Sequence, residues 1–425
     1  MQRVAPDHEM AAGVGRDRAG QQRRAVEQQR PRLAIRQFED GDGVRCPEID
    51  AEANGPHGRN NTTTLVHMTW LLHLDMDQFI VAVEVLRHPE LTGLPVVVGG
   101  NGDPARPRQV VASASYEARA FGVRSGMPLR TAARRCPDAV FLPTDPAVYD
   151  AASVTVMAAL RTFDVPVEVW GWDEAYFGGA VADPFLLARE VRAAVFAASG
   201  LSASIGIGEN KLQAKIAAQY AKPGGIFRIT FDSWPGLMFA RPVSALWGVG
   251  PRTTKKLDAL SISTVGQLAG CDAAVLLPVF GPRMSSWLPL AAAGHGDVSL
   301  TTEPWIARSK SRETTFEVDI TDPVEVASHV SAMASALTRD VVADGRLVTH
   351  VAVKVRFTPF FTNLRSMKLR DGATADPDVV SAAAVVVLGK IELNRPVRLV
   401  GVRVDLLALP GVGDGEGGVG AAGGD

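Results

Sequence analysis

Two adjacent acidic residues in an apolar, aromatic stretch are the first candidates for chemistry. Asp173 and Glu174 lie within Val169-Trp-Gly-Trp-Asp-Glu-Ala-Tyr176, and an earlier acid, Asp75, lies within Leu72-His-Leu-Asp-Met-Asp-Gln-Phe79. A carboxylate in apolar surroundings is costly unless it binds or pairs with a cation. Carboxylate oxygens suit Mg²⁺, and three carboxylates can hold two such ions about 3.5–4 Å apart for phosphoryl transfer. The pattern predicts a divalent-metal site, and on these residues alone a buried ion pair is the alternative.

The second acid of the earlier stretch receives a different interpretation. Asp77 follows the predicted strand and immediately precedes a predicted helix that begins at Gln78. Aspartate is a favoured residue at a helix N-cap. We therefore predict that Asp77 caps this helix, whereas Asp75, which is nearer the buried strand, binds metal.

The elements that position these acids follow from hydrophobic periodicity. A strand starting at Trp70 carries Asp75, and two strands flank the acidic pair as a hairpin. The remaining predicted elements complete a mixed α/β unit that ends near 231: strands at 94–99, 110–114 and 202–207, and helices at 128–136, 146–162, 184–198 and 210–221. A helical unit at 236–300 follows, and a unit at 309–408 has the order strand–helix–strand–strand–helix–strand.

Composition limits the class of protein. With 425 residues and 46% apolar residues, the chain can form two to four domains, and no run is long enough to span a membrane. Three cysteines without metal-ligand spacing indicate a reduced, cytoplasmic setting. Residues 1–67 and 409–425 are predicted to be disordered, and Met68 is a candidate for the true translation start. The net charge of −2 means that any phosphate-binding surface must be local.

Two further patterns are compatible with contact to nucleic acid. Gly248 and Gly250, followed by Lys255 and Lys256, have the form of a helix-hairpin-helix, whose backbone amides can bind phosphate. A plain turn between two helices is the alternative. In the third unit, alternation places Lys354 and Arg356 on one face of a strand and four apolar residues on the other. Such a basic face could follow DNA phosphates, or it could simply be solvated.

Several motifs, taken in order, resemble the Y family of DNA polymerases of the DinB, or polymerase IV, type. The resemblance covers about residues 70–408. The motifs are His73-Leu-Asp-Met-Asp-Gln-Phe79, Ser113-Ala-Ser-Tyr-Glu-Ala-Arg-Ala-Phe-Gly-Val-Arg-Ser-Gly-Met-Pro128, Trp172-Asp-Glu-Ala-Tyr176, Ser204-Ile-Gly-Ile-Gly208, Asn210-Lys-Leu-Gln-Ala-Lys-Ile-Ala217, Ala221-Lys-Pro-Gly-Gly225, Ser309-Lys-Ser-Arg-Glu-Thr-Thr-Phe316 and Pro396-Val-Arg-Leu-Val-Gly-Val-Arg403. Trp170-Gly-Trp172 replaces the smaller residue that most relatives have before Asp-Glu, which indicates a particular sub-branch.

The resemblance implies an α+β, multidomain, right-hand polymerase. Its expected parts are a palm at 68–86 and 146–231, fingers at 87–145, a helical thumb with the helix-hairpin-helix at 232–300, a linker at 301–308 and a βαββαβ little finger at 309–408. The implied partners are primer–template DNA and deoxynucleoside triphosphates. The protein is expected to be a monomer that does not bind membranes.

The resemblance also implies roles for individual residues. Asp75 and Asp173 bridge two Mg²⁺ ions, Glu174 binds the catalytic ion, and the Met76 carbonyl contributes a ligand. The incoming triphosphate is held by Tyr116, Arg119 and Lys222, and Phe79 belongs to the same nucleotide site. Duplex contacts are expected at the residues of the two basic patterns and in the linker region: Gly248, Gly250, Lys255, Lys256, Lys310, Arg312, Lys354 and Arg356.

Two positions depart from the family pattern. Directly after Phe79 these polymerases carry Phe or Tyr, whose ring excludes a 2′-hydroxyl, but this chain has Ile80. Because Ile is shorter and lacks a flat face, it predicts weakened sugar selection and appreciable use of ribonucleoside triphosphates. The alternative is that Ile80 is a neutral substitution in the core and that Phe79 excludes the 2′-hydroxyl instead. The C-terminal Leu406-Leu-Ala-Leu-Pro-Gly lacks a peptide typical of docking on the sliding clamp, so clamp dependence is in doubt.

The predicted function is therefore a template-directed DNA polymerase of low fidelity, able to synthesise past lesions. A nucleotidyl cyclase is one alternative, since it can use two metals on a palm-like sheet, but it needs no grip on a duplex. A DNA-binding scaffold with an inactive palm is the other, and the intact Asp75, Asp173 and Glu174 argue against it.

Overall fold

The computed structural model describes residues 69–303 and 305–408. The predicted disorder of 1–67 and 409–425 and the candidate start at Met68 lie outside these residues. No helix in the described part is long and apolar enough to cross a lipid bilayer.

A five-stranded sheet carries the acidic motifs. Its central strand is the apolar run β1 (Thr69–Met76). This strand is buried along most of its length because strands pair with both of its edges and helices cover both of its faces. The strand order is β5-β6-β1-β7-β8, with β1 antiparallel to β6 and β7, and β7 parallel to β8. The other strands of this sheet are β5 (Val167–Val169), β6 (Glu174–Ala180), β7 (Ala203–Gly208) and β8 (Ile226–Arg228).

Four helices accompany this sheet. The apolar faces of the first three share its core, whereas the fourth packs on β7 and β1 and places Leu212, Ile216 and Ala217 in the core of the helical unit that follows. The core of the sheet contains buried side chains such as Leu72, Leu74, Tyr149, Val191 and Ile205. The helices are α1 (Phe79–Arg87), α4 (Pro146–Leu160), α5 (Pro184–Ser199) and α6 (Lys211–Ala221).

A small three-stranded sheet lies between α1 and α4 in the chain. Its order is β3-β2-β4, and its core is separate, formed by residues such as Val97, Ala118, Val123 and Leu129. The elements are β2 (Val96–Val98), β3 (Ser113–Ala114), α2 (Tyr116–Ala120), α3 (Leu129–Arg135) and β4 (Val140–Leu142).

A helical unit follows β8, as the sequence predicted. It is built around the fully buried Trp234, whose indole donates to the Ala292 carbonyl at 2.8 Å. Its helices are α7 (Trp234–Met238), α8 (Pro251–Asp258), α9 (Val265–Ala269) and α10 (Ala273–Ala292), the last of which is kinked at Gly281.

The last unit confirms the predicted order strand–helix–strand–strand–helix–strand. Its four-stranded sheet has the order β11-β10-β12-β9, and both helices pack on the face that carries Val351, Val353 and Val355. Lys354 and Arg356 lie on the opposite face, as alternation predicted. The elements are β9 (Ser309–Ile320), α11 (Pro323–Ala343), β10 (Val348–Phe357), β11 (Phe361–Lys368), α12 (Pro377–Leu388) and β12 (Val397–Leu406).

Candidate active site

Strand pairing brings the predicted acids together. In the antiparallel register of β1 and β6, Asp75 lies directly opposite Glu174. The Met76 amide donates to the Asp173 carbonyl at 2.9 Å, and the Trp170 amide donates to the Glu174 carbonyl at 3.0 Å. The end of β1 and the β5–β6 hairpin therefore hold the three acids at one edge of the sheet.

Helix α6 and its C-cap residue, Lys222, supply cations and an amide to the same place. The Lys222 Nζ lies 2.6 Å from Asp75 Oδ1, and Gln219 Nε2 donates to Asp75 Oδ2 at 3.2 Å. Lys215 forms an ion pair with Glu174. Because residues three and four apart share one side of a helix, the spacing 215, 219, 222 places all three side chains over the acids.

The pKa values of the two adjacent carboxyl groups, Asp173 and Glu174, are shifted in opposite directions. Burial, followed by the charges of Asp75 and Glu174, raises the pKa of Asp173 above its usual value. Burial would also raise the pKa of Glu174, but hydrogen bonding from His73 and the charge of Lys215 outweigh it and lower that pKa to about 2. Negative charge is thus in excess at Asp173, where an additional cation would be stabilising.

The ligand set fits a divalent metal. Ligand atoms of His73, Asp75 and Glu174 lie within 4.8 Å of one another. Among the described residues this close group does not include Asp173. That carboxyl is near enough to Asp75 and Glu174 for their charges to raise its pKa, so a further oxygen ligand of the kind that Mg²⁺ prefers lies beside the group. The arrangement of these groups agrees with a metal-binding carboxylate cluster.

His73 and Lys215 were not predicted as members of this cluster. His73 is fully buried, its pKa is lowered by burial, and its Nε2 lies 3.4 Å from Glu174 Oε2. The signal was available, because His73 and Asp75 are two residues apart on a strand and so point to the same face. Lys215 could have been found from its helical spacing to Lys222.

The small sheet unit contributes Tyr116 and Arg119. The Tyr116 amide donates to Gln78 Oε1 at 2.7 Å, and its hydroxyl donates to Asp77 Oδ1 at 3.1 Å. Arg119 lies with its guanidinium 5.4 Å from the centre of the Tyr116 ring, and Nε donates to the Ala114 carbonyl at 2.9 Å. Burial, followed by the charge of Asp77, raises the pKa of Tyr116, so this hydroxyl stays protonated.

The prediction that Asp77 caps a helix is wrong. Helix α1 begins at Phe79, and its N-cap is Gln78, which has a left-handed backbone (φ 44°) and no side-chain cap bond. Asp77 is 4% exposed and accepts hydrogen bonds from four donors. Its side chain is used in tertiary contacts because Gln78 turns the chain before the helix starts.

The two residues after Gln78 differ in accessibility. Phe79 is buried in the core of the five-stranded sheet unit, whereas Ile80 is only partly buried at its margin. Of these two residues, Ile80 is therefore the more accessible.

The predicted DNA contacts lie on the other two units. Gly250 is the N-cap of α8, Gly248 has φ 85°, and Lys255 and Lys256 are exposed on that helix. On the last sheet, Lys354 is paired with Glu313 at 2.6 Å and Arg312 with Asp340 at 2.7 Å, and Lys310 is paired with Asp344. Arg356 donates to Thr362 at 3.0 Å.

Comparison with known proteins agrees with this architecture. Residues 74–219 match the impB/mucB/samB family, and residues 307–415 match the C-terminal domain of that family. DNA polymerase IV 2 of Mycobacterium tuberculosis is 54% identical over 340 residues, which are 79% of this chain and 98% of the relative. DNA polymerase IV of Methanoculleus marisnigri is 36% identical over 341 residues, which are 79% of this chain and 94% of the relative.

Solved structures show the same fold at lower identity. A Y-family DNA polymerase chimera, Dbh-Dpo4(243-245)-Dbh, has a TM-score of 0.69 and 22% identity, and the match covers 79% of this chain and 98% of the chimera. DinB from Sulfolobus solfataricus has a TM-score of 0.54 and 22% identity, over 80% of this chain and 99% of its own.

The chain belongs to the Y family of DNA polymerases, with the right-hand fold of that family. Within the family it is of the DinB, or DNA polymerase IV, type, a DNA-directed DNA polymerase.

Proposed function

We propose that this protein extends a primer 3′ end under the direction of a template, with low fidelity and across damaged template bases. The observation that carries the proposal is the edge where Asp75 faces Glu174 across a strand pair, with Asp173 beside them and lysines from α6 above. Phosphoryl transfer depends mainly on positioning and charge neutralisation, and this edge has groups for both.

Asp75, Asp173, Glu174 and the Met76 carbonyl would hold two Mg²⁺ ions. When bound there, such ions would supply charge stabilisation for the attacking and leaving oxygens. The protein residues set the geometry: β1 and β6 hold Asp75 and Glu174 directly opposite each other, and the hydrogen bond from the Met76 amide to the Asp173 carbonyl joins the two backbones. The raised pKa of Asp173 supports a site that gains stability when a cation arrives.

The triphosphate would be held by Tyr116, Arg119 and Lys222. Lys222 lies 2.6 Å from Asp75, so a cationic group already stands next to the metal ligands. Arg119 and Tyr116 lie together on α2, in the unit proposed as fingers. In this assignment the five-stranded sheet unit is the palm, the helical unit the thumb and the last unit the little finger.

DNA would be gripped by the thumb and the little finger. The amides before α8, near Gly248 and Gly250, suit a phosphate of the backbone, with Lys255 and Lys256 nearby. The basic face of the little finger would add affinity that does not depend on sequence. We also propose a monomer that works without strong dependence on a sliding clamp.

Sugar selection is proposed to be relaxed at Ile80. Its partial exposure, with Phe79 buried in the core, leaves no aromatic ring from this pair free to meet a 2′-hydroxyl. Wild type and Ile80→Tyr should be compared for insertion of dNTP and rNTP, and the substitution should raise discrimination against ribonucleotides. Equal rejection of ribonucleotides by both proteins would exclude this part of the proposal.

Primer extension with Mg²⁺, beside an Asp173→Ala control, tests the main proposal. Extension by wild type that disappears in the variant supports it. Pyrophosphate release without a primer would instead favour a cyclase, and DNA binding without either activity would favour a scaffold.

A further inference from the structure

Asp77 is a buried carboxylate at which three separate parts of the chain meet. It follows β1, two residues after Asp75, and its side chain has almost no contact with solvent. One oxygen accepts from the Tyr116 hydroxyl at 3.1 Å and from Ser204 Oγ at 2.8 Å. The other accepts from Ser202 Oγ at 2.8 Å and from the Gly224 amide at 2.8 Å.

These four bonds leave Asp77 unable to serve as another metal ligand. A carboxylate offers about four acceptor positions, and four neutral donors occupy them here. Buried charges persist when they are fully hydrogen-bonded, and hydrogen bonds to a charged group are stronger than neutral ones. The groups around Asp77 are therefore held firmly, which makes it a structural junction.

The donors are located in functionally different places. Tyr116 begins α2, on the unit proposed as fingers, and stands next to Arg119. Gly224 follows Lys222, whose ammonium reaches Asp75, by only two residues. Ser202 and Ser204 anchor the carboxylate to the palm at β7, where the Asp77 amide also donates to the Ser202 carbonyl at 2.9 Å. One carboxylate thus connects both ends of the proposed triphosphate site.

We propose that Asp77 is a positioning residue for the incoming triphosphate, which fixes Tyr116 on the fingers and the Lys222–Gly224 turn on the palm at a set separation. This inference rests on the proposed triphosphate site. Asp77 acts through these residues, so its loss should affect nucleotide binding more than the chemical step or the binding of DNA.

The test is single-nucleotide insertion by wild type and Asp77→Asn. The variant keeps the shape of the side chain, but it can no longer accept all four hydrogen bonds. KM for dNTP should rise about tenfold while kcat stays within about threefold of wild type. The inhibition constant of inorganic tripolyphosphate should rise in parallel, because the phosphates are the part of the nucleotide that the junction positions. The Kd for primer–template should not change.

Glu84→Gln is a matched control. Glu84 is also a buried carboxylate of the palm and accepts from a tyrosine, since the Tyr149 hydroxyl donates to it at 2.6 Å. Within the described part of the chain its hydrogen bonds and ion pair are with Arg87 and Tyr149, neither of which is a proposed triphosphate residue. Its KM should match that of wild type even if its melting temperature falls. An equal rise of KM in Glu84→Gln would show general loosening and overturn the proposal.

Two more variants separate the possible outcomes. Arg119→Ala tests the triphosphate site itself: if it raises KM and Asp77→Asn does not, positioning by Asp77 is wrong but the site stands. If neither raises KM, the site assignment fails as well.

If Asp77→Asn does not fold, Ser202→Ala is the variant to compare with wild type. Ser202 is exposed, and its substitution removes only one of the four hydrogen bonds to Asp77. A rise of KM of about threefold supports the proposal, and an unchanged KM overturns it.

Discussion

Lysine ammonium groups are paired with two of the three acids at the proposed metal site. Lys222 pairs with Asp75 and Lys215 with Glu174, whereas Asp173 forms no ion pair within residues 69–303 and 305–408. This difference agrees with the raised pKa of Asp173 and the lowered pKa of Glu174. A metal ion would therefore approach against the positive charge of these two lysines, one of which, Lys222, is also proposed to hold the triphosphate.

The substitution Lys222→Met should separate the effect of this charge on metal binding from its effect on nucleotide binding. Removal of one positive charge next to Asp75 should lower the Mg²⁺ concentration at half-maximal thermal stabilisation roughly tenfold in the absence of nucleotide. The same substitution should raise KM for dNTP, because a triphosphate contact is lost. Thermal unfolding against Mg²⁺ concentration and steady-state insertion measure the two. Changes in metal affinity and nucleotide affinity in the same direction would contradict the proposed double role.

Residues that belong to short sequence motifs could be predicted as part of the site. Residues whose roles depend on contacts between distant parts of the chain could not. Asp75, Asp173 and Glu174 belong to short motifs whose strand pattern already places them in apolar surroundings. The role of Asp77 was misjudged because it depends on Gln78, whose left-handed backbone and bond to the Tyr116 amide delay the start of α1. That bond joins residues 38 positions apart, and no local pattern indicates it.

At the scale of elements, the close packing of α6 on β7 determines the positions of Lys215 and Lys222 relative to the acids. A Cβ at Gly206 would lie 2.0 Å from the Ala214 carbonyl oxygen and 2.2 Å from the Ala218 amide nitrogen. Glycine therefore permits the backbone contact between strand and helix that brings Lys215 and Lys222 over the acids.

Gly206→Ala should destabilise the protein by about 1–3 kcal/mol or more, since the backbone must move apart. Gly236→Ala is the control, because a Cβ there meets nothing within 4 Å in an exposed position of α7. It should be neutral or stabilising by up to about 1 kcal/mol. Urea unfolding of both variants provides the comparison, and equal stabilities would show that the close approach is not required.

A second contact between elements joins the fingers to the little finger. Arg108 Nη2 lies 2.6 Å from Asp319 Oδ1, and Nη1 donates to the Phe316 carbonyl at 2.6 Å. Arg108 has a left-handed backbone (φ 63°), which is unfavourable for a residue with a side chain. A hydrogen bond from Thr358, followed by bonding to Arg108, lowers the pKa of Asp319.

The Arg108–Asp319 ion pair should make the free energy of unfolding depend on pH in the acidic range. Because the pKa of Asp319 is lower in the folded than in the unfolded state, its contribution is present above the ordinary value of 3.8 and is lost as the pH falls through the folded pKa. Asp319→Asn should reduce the unfolding free energy at pH 6, and its difference from wild type should shrink below pH 3.8. Glu317→Gln, in the half-exposed pair with Arg106, should have little effect at either pH. A difference that is constant with pH would exclude the ion pair as the cause.

Sequence periodicity predicted most of these elements, but not β4, β8 or the individual helices of the helical unit, and not how the elements meet. The strand–helix order of the little finger followed from alternation and turn residues. The sheet order β5-β6-β1-β7-β8 could not be derived in this way, since it depends on pairing between strands distant in the chain. The contact of Arg108 with Asp319 joins two units and likewise had no local signal.

For the whole molecule, a net charge of −2 means that DNA must be attracted by local groups rather than by the overall field. On the basic face of the little finger, the charge of Lys354 is compensated by Glu313. Arg312 lies in register with the buried Val402 on the opposite face and pairs with Asp340 of α11. DNA phosphates must therefore compete with Glu313 for Lys354.

Two substitutions that each remove one charge of the Lys354–Glu313 ion pair should change DNA affinity in opposite directions. Glu313→Gln frees Lys354 and should tighten binding of primer–template DNA, whereas Lys354→Gln should weaken it and reduce the slope of log K against log salt by about 1. Both effects should diminish at high salt, because the released counterions then carry less free energy. Fluorescence anisotropy over a series of KCl concentrations measures them. If both variants weaken binding equally, the ion pair itself supports the DNA surface, and Lys354 does not contact phosphate.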